Sequence, residues 1–161
     1  MDQLTIGKVS QEADWLIVKT FLGYLFDFEK SVRDVRKPTE RILDGSFRYL
    51  RENIDKSRGA AFIARDGESP VGIITGWVEQ GDGQDEGSND FGYVSDAFVI
   101  PLYRGKGAFR SLLNEMTGYY RSIGVEKMSV STLATNADMQ SVLEKCGFSR
   151  HKIAYDMNIG S

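Results

Sequence analysis

The sequence predicts an α/β fold with a mixed central sheet and helices on both faces. Three observations lead to this prediction. Segments with the apolar pattern of strands are interleaved with segments whose apolar residues recur at helical spacing. Their order is β-α-α-β-β-β-α-β-α-β, as expected of a sheet that is covered by helices. At 161 residues the chain is long enough to bury a sizeable core, and we interpret residues 1–161 as a single domain.

The first third of the chain predicts one strand followed by two helices. Apolar residues alternate over residues 4–9 as in a strand. Ser10 is a suitable N-cap for the first helix, because its hydroxyl can accept a hydrogen bond from the free N–H groups of the first turn. Residues 31–38 are polar and basic and predict a loop. A second helix is expected over residues 39–59, up to Gly59.

The middle of the chain predicts three strands. Residues 60–65 and 71–79 have strand patterns and are joined by a hairpin-type turn. Residues 80–90 contain four acidic residues and no large apolar residue, which predicts a solvated loop. Residues 91–100 form the third strand of this group. After a further helix that ends at Gly124, we expect a strand over residues 127–133.

The end of the chain predicts a short helix and a last strand. The helix is expected over residues 136–145. The last strand is indicated by alternation of four apolar residues, namely Ile153, Tyr155, Met157 and Ile159.

Composition excludes several classes of function. The chain has 20 Lys and Arg against 23 Asp and Glu, a net charge of −3, so no overall basic field predicts binding to nucleic acid. A single cysteine cannot form an internal disulfide and suits a reducing compartment. His151 stands alone, and no cluster has the spacing of metal ligands, so we expect no metal. The apolar runs are too short for a membrane span and no secretory signal is present, so we expect a soluble, cytoplasmic protein without a membrane partner.

A basic, glycine-rich loop joins the third of these strands to a helix. Pro101 ends the strand, because proline has no N–H to donate to a sheet. Arg-Gly-Lys-Gly follows at residues 104–107, and behind it come apolar residues at helical spacing. The free N–H groups at the start of such a helix bind anions, phosphate above all. The loop therefore predicts a phosphate ligand, the alternative being a glycine-rich turn with no ligand.

Two common phosphate motifs are absent from this loop. The Walker A pattern is not found, and the dinucleotide pattern fails because Arg110 stands where its third glycine would be. Residues 99–108, Val-Ile-Pro-Leu-Tyr-Arg-Gly-Lys-Gly-Ala, instead resemble the acyl-CoA loop of the GNAT superfamily of N-acetyltransferases. The pattern of that family is Arg/Gln-x-x-Gly-x-Gly/Ala after Val-x-Pro. Arg104 and Gly107 match it, whereas Phe109 stands where a small residue is usual.

A second segment carries the same resemblance. Residues 136–148 resemble the family's Asn-(x)n-Leu-Tyr-Glu-Lys-x-Gly-Phe segment, with Glu144-Lys145 and Gly147-Phe148 in place. The order of elements is also that of the family, so the resemblance covers nearly the whole chain. It implies a mixed, mostly antiparallel central sheet.

The resemblance implies that the chain binds acetyl-CoA as a co-substrate. The strand that ends at Ile100 would pair with the pantetheine arm, chiefly through the backbone of Val99, and the loop would wrap the pyrophosphate. Asn136 would hold the arm from the other side. The residues expected to bind acetyl-CoA are then Phe98, Val99, Arg104, Gly105, Lys106, Gly107, Ala108, Phe109 and Asn136.

The implied activity is N-acetylation of a primary amine by direct attack on the thioester. A lysine-like amine has a pKa of about 10.4, so neutralising it at pH 7 costs roughly 4–5 kcal/mol and a base is needed. Asp96 is the first candidate and Glu79 the second. The alternative for Asp96 is a hydrogen-bonded strand carboxylate, because strand alternation can point Ser95 toward the substrate and Asp96 away from it.

The residue that would protonate the departing thiolate is open. The family usually has a tyrosine immediately before the Glu-Lys pair, and this sequence has Leu143 there. Tyr155 is our candidate for the acid, with Tyr119, Tyr120 or water as alternatives. Each of these tyrosines can equally be a core or interface aromatic.

The acceptor is not identified by the sequence. If the acidic loop faces the acceptor site, it favours a small cationic amine or a peptide amine. The alternative function is a non-catalytic acyl-CoA-binding module that serves as a sensor or interaction partner. The family is often dimeric, which leaves a homodimer open, although no stretch of the sequence marks an interface.

Overall fold

The computed structural model describes residues 3–32, 40–81 and 89–160. Most of the two predicted loops, residues 31–38 and 80–90, lies outside the described residues. The elements follow in the order β1 (Leu4–Lys8), α1 (Glu12–Val32), α2 (Glu40–Lys56), β2 (Ala60–Asp66), β3 (Ser69–Glu79), β4 (Phe91–Val99), a 3₁₀ turn (Pro101–Tyr103), α3 (Ala108–Ser122), β5 (Met128–Val130) and α4 (Ala137–Lys145).

Two compact units divide the chain, residues 1–131 and residues 132–161. The first unit contains one five-stranded sheet in the order β1-β2-β3-β4-β5. All neighbours in it are antiparallel except β4 and β5, which are parallel. The prediction of a mixed, mostly antiparallel sheet is therefore confirmed.

Helices cover both faces of this sheet, as predicted. One face carries the apolar side chains of α1 and α2, which pack on the strands in a single cluster that includes Trp15, Val18, Phe21, Leu50, Ile54, Ile63, Ile73, Trp77 and Phe98. The other face carries α3, whose buried residues include Leu112, Met116 and Tyr120.

Glycines on β3 and β4 make room for Tyr120. The side chain of Tyr120 lies against Gly92, where any Cβ would collide with its ring. Its hydroxyl donates to the backbone carbonyl oxygens of Tyr93 at 2.7 Å and Trp77 at 3.1 Å. Burial raises the pKa of this hydroxyl far above its ordinary value, so Tyr120 stays protonated and ties α3 to the middle of the sheet.

The second unit is built around α4. Asn136 begins this helix, and its side-chain oxygen accepts a hydrogen bond from the N–H of Met139 at 3.1 Å. Gly147, in the left-handed region with a φ of 96°, ends it. The N–H of Phe148 bonds back to the carbonyl oxygen of Leu143 at 3.0 Å, which is the usual closure of a helix by a left-handed glycine.

The last predicted strand is not formed. Residues 148–160 have no regular secondary structure, and the four alternating apolar side chains of the predicted strand are 72 to 91% exposed. Alternation supplies a face for packing, but a strand also needs a neighbouring backbone to bond with. β5 is likewise shorter than predicted, with three residues.

None of the described helices is long and apolar enough to cross a membrane.

Candidate active site

A β-bulge interrupts β4 at Ser95. Thr75 of β3 lies opposite Asp96, whereas Gly76 lies opposite Val94, so Ser95 is one extra residue on β4. Such a bulge resets the alternation of side chains along a strand. As a result Tyr93 and Asp96, three residues apart, both lie on the sheet face that α1 and α2 cover. The alternative that strand alternation points Ser95 toward the substrate and Asp96 away from it assumes a regular strand without this bulge.

Asp96 belongs to a small, partly buried network of polar side chains. The hydroxyl oxygens of Thr75 and Ser95 lie 2.7 Å apart and share a hydrogen bond, and the Thr75 hydroxyl also lies 3.3 Å from Oδ2 of Asp96. Burial raises the pKa of Asp96 above its ordinary value of 3.8, and hydrogen bonds from Ser95 and Thr75 lower it in part. A carboxylate with a raised pKa is a better proton acceptor, which suits a general base.

Among the described residues, β4 has a second neighbouring strand along only one half of its length. β5 pairs with β4 only along Gly92–Val94. The N–H of Ile100 donates to the carbonyl oxygen of Val71 at 3.0 Å, and hydrogen-bonded and non-bonded positions alternate in antiparallel strands. The backbone groups of Ala97 and Val99 therefore point away from β3. We call residues 92–94 the paired half of β4 and residues 95–99 its open half.

Arg104 folds back onto the open half. Its Nε donates to the carbonyl oxygen of Val99 at 2.9 Å. Its guanidinium lies over the rings of Phe28 and Phe98, 5.2 Å from each ring centroid. Arg104 thus ties the glycine loop to the strand edge and to α1, while the second lone pair of the Val99 oxygen can still accept a hydrogen bond.

The glycine loop leads into α3 without a side-chain cap. Gly105 and Gly107 have φ values of 74° and 87°, a region that side chains rarely adopt. Gly107 occupies the N-cap position, where it offers no side-chain oxygen. The N–H groups of the first turn, which begins at Ala108, are therefore available to an anion. At the start of the helix, Ala108 is buried and Phe109 is half-buried.

A hydrogen bond between Tyr103 and Asp66, which we call the strut, holds this loop in place. The Tyr103 hydroxyl donates to Oδ2 of Asp66, the last residue of β2, at 2.7 Å. The hydrogen bond to Asp66 is the main cause that raises the pKa of Tyr103. The Lys106 ammonium lies 5.5 Å from the centroid of the Tyr103 ring. Asp66 therefore positions the segment that carries Lys106.

Three aromatic rings lie beside Asp96 on the same face of the sheet. Trp77 packs edge-on against Tyr49 of α2 at 6.0 Å and against Tyr93 of β4 at 5.5 Å between ring centroids. The indole N–H of Trp77 donates to Oε1 of Glu79 at 2.6 Å. Burial first, and then the charges of Asp96 and Glu79, raise the pKa of Tyr93.

The predicted site residues fall in both units. The first unit brings together Asp96, the open half of β4 and the whole glycine loop. Asn136 and Tyr155 belong to the second unit, where Asn136 caps α4 and Tyr155 is 91% exposed. Leu143 is buried, Tyr119 donates to the carbonyl oxygens of Arg58 and Gly59, and Tyr120 is buried under the sheet. The role of Tyr155 as an acid remains a prediction.

Sequence reasoning missed several residues of this site. Thr75 and the bulge at Ser95 have no local signal, because a bulge depends on the register with a neighbouring strand. Tyr49, Trp77 and Tyr93 come from three different elements and meet only in the fold. The spacing of Trp77 and Glu79, two apart on one strand, was the one signal available for their contact.

The described part of the chain contains no group of three or more His, Cys, Asp or Glu residues that could hold a metal ion.

Comparison by sequence identifies a family. Residues 27–148, more than half of the chain, match the family model described as the acetyltransferase (GNAT) family. No curated protein matches the chain by sequence.

Comparison by structure agrees with this match. A putative acetyl transferase from Pyrococcus furiosus superposes with a TM-score of 0.75 at 14% identity, covering 98% of this chain and 100% of that one. A predicted acetyltransferase from Clostridium acetobutylicum, solved with acetyl-CoA, has a TM-score of 0.72 at 13% identity over 98% and 97% of the chains. AAC(6')-Iy, in complex with the bisubstrate analogue CoA-S-monomethyl-acetylneamine, has a TM-score of 0.67 at 16% identity over 97% and 98%. At these identities the likeness shows a shared fold.

Proposed function

This chain belongs to the GNAT family of acetyltransferases, and from that premise we propose that it transfers an acetyl group from acetyl-CoA to a primary amine. The neutral amine nitrogen attacks the thioester carbonyl carbon directly. The new C–N bond replaces the C–S bond, the amine loses a proton to a base, and the departing thiolate takes up a proton. No enzyme nucleophile takes part.

The open half of β4, followed at once by the glycine loop, is the observation that carries this proposal. A pantetheine arm is a chain of amide groups, and such a chain can pair with a free strand edge as an added strand does. Ala97 and Val99 offer their N–H and carbonyl groups on that edge. The uncapped start of α3 lies a few residues further along the chain, where its N–H groups are available to the phosphates of the same ligand.

The side chains around the loop fit a pyrophosphate. Lys106 and Arg110 are exposed next to the start of α3 and add positive charge there. Arg104 is already bonded to Val99 and stacked on two aromatic rings. We therefore propose that Arg104 holds the loop in place and does not bind the phosphates. The glycines at 105 and 107 let the backbone approach the ligand without a Cβ in the way.

Asp96 is the residue that we assign as general base. It lies on the open half of β4, where the acetyl group would be presented, and its pKa is raised by burial. Thr75 and Ser95 hold its carboxylate in one position. A base held in this way removes the amine proton, directly or through one water.

A non-catalytic acyl-CoA-binding module is the second candidate function. It is favoured by the buried Leu143, which stands where the family usually has the acid tyrosine, and by the 91% exposure of Tyr155. A thiolate can also be protonated by water, so the missing tyrosine does not by itself prevent turnover.

Release of free thiol from acetyl-CoA in the presence of amines distinguishes the two functions. We expect thiol release that depends on both the protein and an added amine, with the acetylated amine as the second product. Binding of acetyl-CoA without amine-dependent release across a broad set of primary amines would contradict the transferase and support the binding module.

A further inference from the structure

A row of aromatic and acidic side chains extends from Asp96 along the sheet face that α1 and α2 cover. Its members are Asp96, Tyr93, Trp77, Tyr49 and Glu79, which we call the acceptor row. Trp77, 5% exposed, forms its floor, and Tyr49, 62% exposed, forms its rim. The two carboxylates lie at the two ends, and the rings lie between them.

The spacing of the two carboxylates follows from the register of the strands. Asp96 lies opposite Thr75, and Glu79 is four residues further along β3 on the same face. Four residues of a strand span about 13 Å. A ligand that lies along the row therefore meets a negative charge at each end and aromatic surface between them.

The carboxylate of Glu79 can bind a cationic group of a ligand. Its Oε1 accepts from Trp77 at 2.6 Å, and a carboxylate has about four lone-pair sites in total. The basic side chains next to it are paired elsewhere, Lys56 with Glu52 and Arg58 with Asp90. A polar cleft of about 380 Å³ begins at Glu79 and leaves room there for the end of a ligand.

We propose that the acceptor row selects a dicationic acceptor, in which one amine is acetylated at Asp96 and a second ammonium group is bound by Glu79. The alkyl part of the acceptor lies along the half-exposed Tyr93 and the exposed Tyr49, which pack over the buried Trp77 and whose rings favour both the chain and its charged ends. This inference rests on the proposed function for the amine at Asp96. The substrate class is a linear diamine or longer polyamine rather than a neutral or singly charged amine.

Two amines of equal length test the charge requirement. Diaminooctane and octylamine share the same carbon chain and differ by one ammonium group. We expect KM for diaminooctane to be lower by about five- to tenfold, as one half-exposed ion pair and one cation–π contact together predict. Glu79→Gln should remove most of this preference by raising KM for diaminooctane relative to KM for octylamine.

The variant is designed to keep the fold. The amide oxygen of Gln can still accept from the Trp77 indole, so only the charge is lost. Glu115→Gln is the matched control, because Glu115 is an exposed residue of α3 on the opposite face and its loss changes the net charge equally. An effect of the same size in both variants would contradict a direct contact with Glu79.

Calorimetric binding of the same two amines separates failure of this inference from failure of the proposed function. Turnover with no preference for diaminooctane would overturn the acceptor row and leave the transferase standing. Tighter binding of diaminooctane that is lost in Glu79→Gln, without turnover, would support the row and contradict the transferase. Equal or absent binding of both amines would overturn the row.

Discussion

The two halves of β4, which together are eight of its nine residues, differ in the strands that they pair with. The paired half is bonded to β3 on one side and to β5 on the other, and Tyr120 is locked beneath it. The open half is bonded to β3 but not to β5, and the bulge at Ser95 lies where the two halves meet. Backbone donors and acceptors need partners where a neighbouring strand ends, and this is why we propose a ligand site along the open half.

Gly92→Ala should have the largest effect, and it should be on stability alone. A Cβ at Gly92 would meet the ring of Tyr120, which two hydrogen bonds hold in place. We expect a loss of about 3 kcal/mol in the free energy of unfolding, the upper end for overpacking, measured by urea denaturation. Gly118→Ala is the control: nothing lies within 4 Å of a Cβ there, and an alanine inside α3 should add about 0.5–1 kcal/mol. An unchanged free energy of unfolding in Gly92→Ala would mean that the paired half is not rigid.

Asp96→Asn tests whether the open half of β4 carries the general base. We expect kcat/KM to fall about 100-fold at pH 7, the contribution of a typical general base. The loss should shrink at high pH, where the amine is already neutral. In the wild type, the rate should fall with decreasing pH at a pKa above the ordinary value of 3.8, because burial raises the pKa of Asp96. An equal loss at both pH values would mean that Asp96 is structural.

The same substitution has a second readout in stability. A carboxyl group with a raised pKa in the folded state binds its proton more tightly there than in the unfolded chain, so its ionised form costs stability above that pKa. The cost disappears as the pH falls below 3.8. Asp96→Asn should therefore gain in unfolding free energy relative to the wild type at neutral pH and lose this advantage in acid. A pH-independent difference would contradict the burial of the charged group.

Gly107→Ala and Gly124→Ala compare the two left-handed glycines at the two ends of α3. Gly107 and Gly124 have φ values of 87° and 79°, so an alanine at either position should cost about 1–2 kcal/mol of stability. Only Gly107→Ala should also raise the Kd of acetyl-CoA, because only that residue lies in the loop that faces the ligand. Isothermal titration of both variants makes the comparison, and equal Kd values would remove the loop from the ligand site.

Tyr103→Phe should have the smallest effect. The variant loses the hydrogen bond from Tyr103 to Asp66, and the loop that carries Lys106 becomes less well held. We expect a small loss of stability and a Kd for acetyl-CoA that rises a few-fold. Tyr119→Phe loses a comparable hydroxyl contact, to Arg58 and Gly59, and should leave the Kd unchanged. A weaker Kd in both variants would point to a general loss of order rather than to the strut.

The features that the sequence predicts well are those with a local cause. Helical spacing behind Gly107 placed α3, because period and glycine geometry act over a few residues. The turn between β2 and β3 and the stop at Pro101 have the same origin. The glycine loop could be recognised for this reason, although its ligand needed the resemblance.

The features that it misses depend on distant partners. The bulge at Ser95 arises from the pairing of β4 with β3, and it places Asp96 and Tyr93 on the same face of the sheet, whereas regular alternation puts residues three apart on opposite faces. The strut between Asp66 and Tyr103 joins residues 37 apart. The predicted last strand has the right alternation at Ile153 and Tyr155, but the described structure supplies no neighbouring strand there. Periodicity carries no information on any of these contacts.

Thermal unfolding with and without acetyl-CoA tests the central claim, that the open half of β4 and the glycine loop form an acyl-CoA site. Acetyl-CoA at a hundred times its Kd should add about 2.7 kcal/mol to the free energy of unfolding, or roughly 5–11 °C in Tm for a chain of this size. The shift should be smaller at the same concentration in Gly107→Ala. An unchanged Tm at millimolar acetyl-CoA would contradict the site and, with it, the proposed function.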